Sequence, residues 1–517
     1  MKKRIFSRVL ALVMAMSLLS TTAFAASFAN LQDAINGNDN GRLIEGTEGH
    51  YGYGSYIEGA GFEITAWSIA AEGDTPANRV VNLWSDVNFT TGDKGIVIDG
   101  NKTGQENVTI NMNGNTIDAN PDAILIAQDV KQDEANPDSY EIVGYDGKFY
   151  QATTNENGEK VAVEDENGNK TVATGLNNVR VLEVKNGANV TLNGKGGTLT
   201  GGFTSGNGGA AYVEKSTVTM NDVNVTGNQG GGNGGAGIRI NTDSTFTMNG
   251  GSITNNYNGS HGGGLGVHLA NSATLNNVTI TNNAAHTHGG GVWLVDVRSV
   301  TLDGCTIAEN YAGYQGGGIS ASNVAEFNIC NTNITDNKNS GWGGGGIRFL
   351  GKGTLNLQGN NLISRNESGY AAGGVTVSTG CTLNVTGEGN ELYGNTAGYY
   401  FGDDLVLDPG TTVSGLHRLN QRELKDADGH VLNGWYYDHD EPTLPRWQED
   451  MVAKAAPEYI FTKETVENDD GTVTDKEVLV SETGRIAFKY AHNKLYTVTL
   501  HPGYENAGDP VALPGEV

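Results

Sequence analysis

Val278 to Ile319 reads VTITNNAAHTHGGGVWLVDVRSVTLDGCTIAENYAGYQGGGI, and this stretch decides the fold. It holds the same pattern twice: an aliphatic, two residues, an asparagine, a loop, a glycine run and another aliphatic. Ile280 leads to Asn283 and Gly289-Gly290-Gly291-Val292, then Ile307 leads to Asn310 and Gly316-Gly317-Gly318-Ile319. Extending outward, the asparagine column runs Asn228, Asn256, Asn283, Asn310, Asn337, Asn366 and Asn395, at steps of 27 to 29 residues. A fixed step in this range signals a stack of similar coils.

One repeat can be parsed into strands. Val300-Thr301-Leu302 alternates apolar and polar, Asp303-Gly304 turns, and Thr306-Ile307-Ala308 forms a second strand ended by Asn310. Tyr311 to Gln315 reads as a loop, and Ile319 begins a third strand. Three short strands in about 27 residues make one turn of a right-handed parallel β-helix, an all-β solenoid. Helical repeats fit poorly, because glycine costs a helix about 1 kcal/mol per position. With coils about 4.8 Å apart, Ile280, Ile307 and Ile334 should pile into one core. The asparagines should form a structural ladder between coils, as stacked amides do.

Composition agrees. The 517 residues hold 76 glycines without a Gly-X-Y period, so glycine marks tight turns rather than collagen. A net charge of -27 repels phosphate backbones and argues against nucleic acid as a partner. Neutral glycans, cationic proteins and divalent cations remain compatible.

The domain reading follows. Residues 1–25 carry Lys2, Lys3 and Arg4, an apolar stretch and Ala23-Phe24-Ala25, the pattern of a cleaved export signal. The product is therefore expected to be secreted, extracellular or at the cell surface, with no transmembrane segment after cleavage. The β-helix is assigned to 26–415, including an N-terminal cap at 26–75 and a β-meander insertion at 128–178, where Asp146-Gly147, Asn157-Gly158 and Asn167-Gly168 signal hairpins. Residues 416–455, with Trp435, Tyr436, Tyr437 and Trp447, read as a C-terminal cap or linker. Residues 456–517 read as a small antiparallel β module whose sequel to Tyr496–Leu500 brings no anchoring tail, which leaves truncation of a longer protein as one reading. Cys305, Cys330 and Cys381 occupy different offsets in the repeat and read as free thiols.

The repeat resembles the passenger repeats of the polymorphic outer membrane proteins, a family of autotransporter adhesins with FxxN and GGA[ILV] motifs. Ile-Thr-Asn-Asn at 253–256 and 280–283, Ile-Ala-Glu-Asn at 307–310 and Ile-Thr-Asp-Asn at 334–337 match the first motif, with isoleucine in place of phenylalanine. Gly263-Gly264-Leu265, Gly290-Gly291-Val292 and Gly317-Gly318-Ile319 match the second. The resemblance implies a β-helical adhesin. At fold level the chain is also similar to pectate-lyase-like proteins, many of which act on polysaccharides.

Three constellations carry candidate chemistry. Glu309, Asp336 and Arg365 share one repeat position, where paired carboxyls could serve a lyase or glycoside hydrolase; a turn-facing acid pair relieved by arginine is the plainer reading. His261 and His288, each just before a glycine run, with His268 and His286 near, are candidates for a shared Zn or Ni, against ordinary loop histidines. Five residues before the post-glycine aliphatic stand Tyr314, Trp342, Tyr370 and Tyr400, a row of rings suited to stacking on sugars or apolar patches, or to packing on one another. The sequence therefore favours a non-catalytic adhesin-like protein binding glycans or other surface ligands through the aromatic row. A carbohydrate-active enzyme is the alternative, and a structural spacer a third class. No cofactor is expected, and the oligomeric state is not written in the sequence.

Overall fold

The computed structural model describes residues 78–420, with breaks at 103, 129, 134–135, 143–146 and 399–401, plus the separate segments 26–27, 31–32, 35, 42–43, 51–57, 61–69, 433–437, 461–467, 473–479 and 486–492. The expected export signal at 1–25 and the strand at Tyr496–Leu500 lie outside the described residues. The fold is a right-handed parallel β-solenoid, with almost no helix among the described residues. The chain divides into two compact units, Met1–Gly259 and Ser260–Val517.

In the second unit one coil consists of Val292–Asp303, Thr306–Ala308 and Tyr311–Ala312. Each strand pairs in parallel with its counterpart one coil on: Ile319–Cys330, Asn333–Thr335 and Lys338–Asn339. Two details differ from the expected parse. The strand after the glycine run and the one beginning the next repeat are a single twelve-residue strand, bent where Asp296 takes a positive φ of 54°. The stretch expected to be loop opens with the two-residue strand Tyr311–Ala312, too short for alternation to reveal. Ile280 pairs with Ile307, Ile307 with Ile334, Ile334 with Ile363 and Ile363 with Leu392. All five are 0–1% exposed, a continuous aliphatic column worth about 1.5–3 kcal/mol per side chain.

The asparagines tie these coils together. Each side-chain amide of Asn283, Asn310, Asn337 and Asn366 donates to Oδ1 of the next in the column, at 2.9–3.0 Å. The backbone N–H of the same residue donates to that same oxygen. Asn395 ends the run on the buried carboxylate of Asp404, 2.8 Å away. The glycine runs belong to the same device. A β-carbon on Gly318 would sit 3.0 Å from the Asn337 side chain and 2.7 Å from the Gly346 carbonyl. Gly316, at φ 63°, makes the turn itself.

A second polar ladder sits five residues earlier. The Cys305 N–H donates to Thr332 Oγ1, the Thr332 N–H to Asn361 Oδ1, and Asn361 Nδ2 to Asn390 Oδ1. Cys305 thus occupies a ladder position; all three cysteines are free. The last coil's edges are paired antiparallel, Leu405–Leu407 with Ile486–His492 and Thr412–Ser414 with Val473–Leu479. Side chains of Trp435, Tyr436, Tyr437 and Trp447 lie outside the described residues.

The first unit stacks in the same way. Val81, Ile110, Leu192, Met220 and Met248 form one buried column through four parallel pairings. Asn228 Nδ2 donates to Asn256 Oδ1 at 3.0 Å. Thr116–Asp118 pairs with Thr198–Thr200 although some eighty positions separate them in the chain, so a segment is looped out of the coil. Its antiparallel sheet begins at Ala123–Ile126, ahead of the expected boundary at 128, because that apolar run pairs with Lys148–Thr154 rather than with a coil. Gly158 and Gly168 turn at positive φ, and the Asn155 and Asp165 side chains accept the N–H groups that follow them. Lys160 reaches back to Asp118 at 2.8 Å. At the start of the unit Gly61–Ile69 pairs antiparallel with Asn78–Leu83, and the Gln32 amide exchanges two hydrogen bonds with the Val97 backbone, so the open edge is covered.

Candidate functional site

In the second unit the loop before each glycine run faces the second residue of the strand after it. That strand position is Gly266, Trp293, Ser320, Arg348, Thr376 and Val406 in successive coils, each in register with the next. Its neighbours on either side point inward, as with Ile347 and Phe349 around Arg348, so this column lies on the outer face.

The loops bring two of the expected constellations into one ledge. The rings of His261 and His288 stack at 4.9 Å with 7° between planes, and His261 lies 5.1 Å from Trp293. Trp293 also stacks with His268 at 6.0 Å. Tyr314 tilts over His288 at 5.4 Å, while Trp342 and Tyr370 stack at 5.6 Å and 7°. Part of the aromatic row therefore packs on itself, yet Tyr314 stays 46% and Tyr370 39% exposed. Tyr400, the fourth ring expected in the row, lies outside the described residues.

The histidines meet face to face, so their in-plane lone pairs do not converge on one point between the rings, and His261 Nδ1 is engaged by Thr287 Oγ1. The donor set does not fit a shared metal. Among the described residues no group of three or more His, Cys, Asp or Glu could hold one. Burial, with the nearby charges of His261 and Arg348, pushes His288 down to about 4, so it is neutral near pH 7.

Glu309, Asp336 and Arg365 take left-handed backbone angles, φ 56–58°, in the position just before a ladder asparagine. Gly227, Asn255, Asn282 and Gly394 fill the same turn in other coils. Arg365 binds Asp336 through two hydrogen bonds of 2.7 and 2.8 Å. Burial raises the Asp336 pKa, but the Arg365 and Thr335 hydrogen bonds outweigh it and hold the carboxyl below its usual range. A carboxylate so held is poorly placed to act as a general acid.

Beside the ledge is a cavity of about 220 Å³ lined by Tyr314, Trp342, Gly343, Arg348, Thr376 and Asp408, among others. The last three were not singled out from the sequence, although Arg348 and Thr376 each follow the post-glycine aliphatic by one residue in every coil count. Gly343 is part of the wall: a β-carbon there would lie 2.7 Å from Arg348 Nη1 and 3.0 Å from Thr376 Oγ1. The first unit holds a larger cavity, about 680 Å³, between the Asn88–Thr91 loop and the looped-out segment. Its central amides are consumed internally: the Asn120 side chain accepts from the Asn177 N–H and donates to the Asn177 and Gly201 carbonyls, and the Asn177 side chain donates to the Thr90 and Ala119 carbonyls. We therefore place the candidate site in the second unit.

Residues 167–362, and in a second alignment 260–404, match the family described as "Right handed beta helix region". This agrees with the solenoid and is similarity at the level of the fold. Neither the curated proteins nor the solved structures yield a match.

Proposed function

We propose that this chain is an exported or surface-displayed binding protein that holds glycan on the aromatic ledge of its second unit, without catalysis. The observation that carries the reading is the row of partly open rings, Tyr314, Trp342 and Tyr370, running from coil to coil beside a polar cavity. Flat rings match the apolar faces of sugars, while hydroxyl-seeking groups at their edge supply orientation. The adhesin-like repeat motifs, the export-signal pattern at 1–25 and the net charge of -27 support a role outside the cell with a ligand that is not polyanionic. A carbohydrate-active enzyme is the less supported reading, because Asp336 is spent on Arg365.

The test is a panel of polysaccharides assayed for both binding and cleavage. Trp342→Ala should weaken binding about tenfold or more and leave the circular dichroism spectrum unchanged. Wild-type affinity in Trp342→Ala and Tyr370→Ala together would remove the ledge from the account, and chain cleavage would replace binding with catalysis.

A further inference from the structure

From the cavity beneath the ledge we infer a specificity subsite: one neutral pyranose ring, read through its hydroxyls by Thr376, Arg348 and Asp408. This deepens the glycan-binding reading and rests on it. Thr376 is 5% exposed, and its hydroxyl is buried with no hydrogen-bond partner among the described residues, an unusual state for a polar group. Thr376 is part of the cavity lining, and its hydroxyl and Arg348 Nη1 both lie close against Gly343, where a β-carbon would come within 3.0 and 2.7 Å of them. Arg348 is oriented by the Trp342 carbonyl, which its Nη1 reaches at 3.3 Å. Asp408 places a carboxylate in the same lining. One lone hydroxyl, a forked donor and a carboxylate around one space can hold neighbouring ring hydroxyls, each of which both donates and accepts.

The chemistry favours a neutral sugar. Asp408 offsets the Arg348 charge within the lining, and a polyanion would also meet the overall charge of -27. The cavity is smaller than the roughly 300–1,000 Å³ typical of drug-sized ligands, so it has room for a ring rather than a chain. The rest of a glycan would lie along the ledge.

Calorimetry would use β-1,4-linked gluco-, manno-, xylo- and galacto-tetrasaccharides, the free monosaccharides, and tetragalacturonate as the acidic arm. The whole chain is used, as wild type, Thr376→Val, Arg348→Gln and Trp342→Ala. One neutral tetrasaccharide should bind best. Thr376→Val, which keeps shape and removes only the hydroxyl, should weaken it 5- to 20-fold and erase the preference between gluco and manno epimers. Arg348→Gln should act alike. Trp342→Ala should weaken all tetrasaccharides while the epimer preference persists. If Thr376→Val and Arg348→Gln keep both affinity and preference while Trp342→Ala abolishes binding, the ledge stands and the subsite falls. Tightest binding of tetragalacturonate overturns the neutral class. Monosaccharides binding as tightly as tetrasaccharides would leave the subsite and remove the ledge, and no binding by the wild type would sink both.

Discussion

In the second unit the asparagine column and the aromatic ledge both return once per coil, and they differ in what each leaves open. Asn283 through Asn395 are 0–2% exposed, and each passes its amide hydrogens to the next coil until Asp404 receives the last. The ledge keeps Tyr314 and Tyr370 more than a third exposed and borders a hydroxyl, that of Thr376, with no hydrogen-bond partner among the described residues. Identical periodicity therefore serves two ends. A column whose bonds close on themselves holds the stack together, and one with open faces and unmet polar groups is available to a ligand.

The sharpest way to break this contrast is to remove a rung from the ladder. Asn337 donates to Ile307 and Asn366 and accepts two hydrogens from Asn310. Asn337→Ala strips partners from several buried groups at once and should cost about 3 kcal/mol in urea unfolding. A loss under about 1 kcal/mol would mean that the ladder is ornament and that the aliphatic column alone carries the coil. Sugar binding measured on folded protein should not change.

The histidine stack, where ledge meets coil, gives an intermediate effect with a definite sign. His288 is held near 4 in the folded chain, mainly by burial and then by the His261 and Arg348 charges; the His261 ring stacks on it and the Tyr314 ring tilts over it. Unfolded, it would titrate at about 6.5. The folded state thus binds fewer protons between those values. The contribution is fully present above about pH 6.5 and is lost as pH falls toward 4. Because the ring is partly open to screening water, the loss should be about 1–2 kcal/mol. Thermal melts of wild type and His288→Gln across this window check it: the wild type should fall more steeply, and parallel slopes would contradict the packing described.

Much of this could be read before any coordinates. The 27- to 29-residue step put Ile280, Ile307 and Ile334 in register, because a solenoid turns equal spacing into contact. The Cys305, Thr332, Asn361, Asn390 ladder was legible at the same steps but hidden by its changing residue types, since only the hydrogen-bonding capacity repeats. Arg348, Thr376 and Asp408 escaped for a different reason. Their meaning lies in the loop that faces them across the groove, a relation between different parts of the coil that linear alternation does not encode. Merging the histidines with the aromatic row likewise needed ring orientations, which spacing alone leaves undetermined.

The smallest effect belongs to the column lying one residue before the ladder. Glu309, Asp336 and Arg365 share its left-handed turn with Asn282, Gly227 and Gly394, so the position selects for backbone angle more than for charge. Arg365 and Asp336 form a two-point ion pair, but their side chains are 61% and 38% exposed. Exposed pairs contribute little once solvent and salt screen them, so Arg365→Ala should cost under about 1 kcal/mol, and added salt should shrink the difference from wild type. The same variant should bind glycan as the wild type does. A large change in binding would move the functional surface from the ledge to this turn and restore the carboxylates as candidates for chemistry.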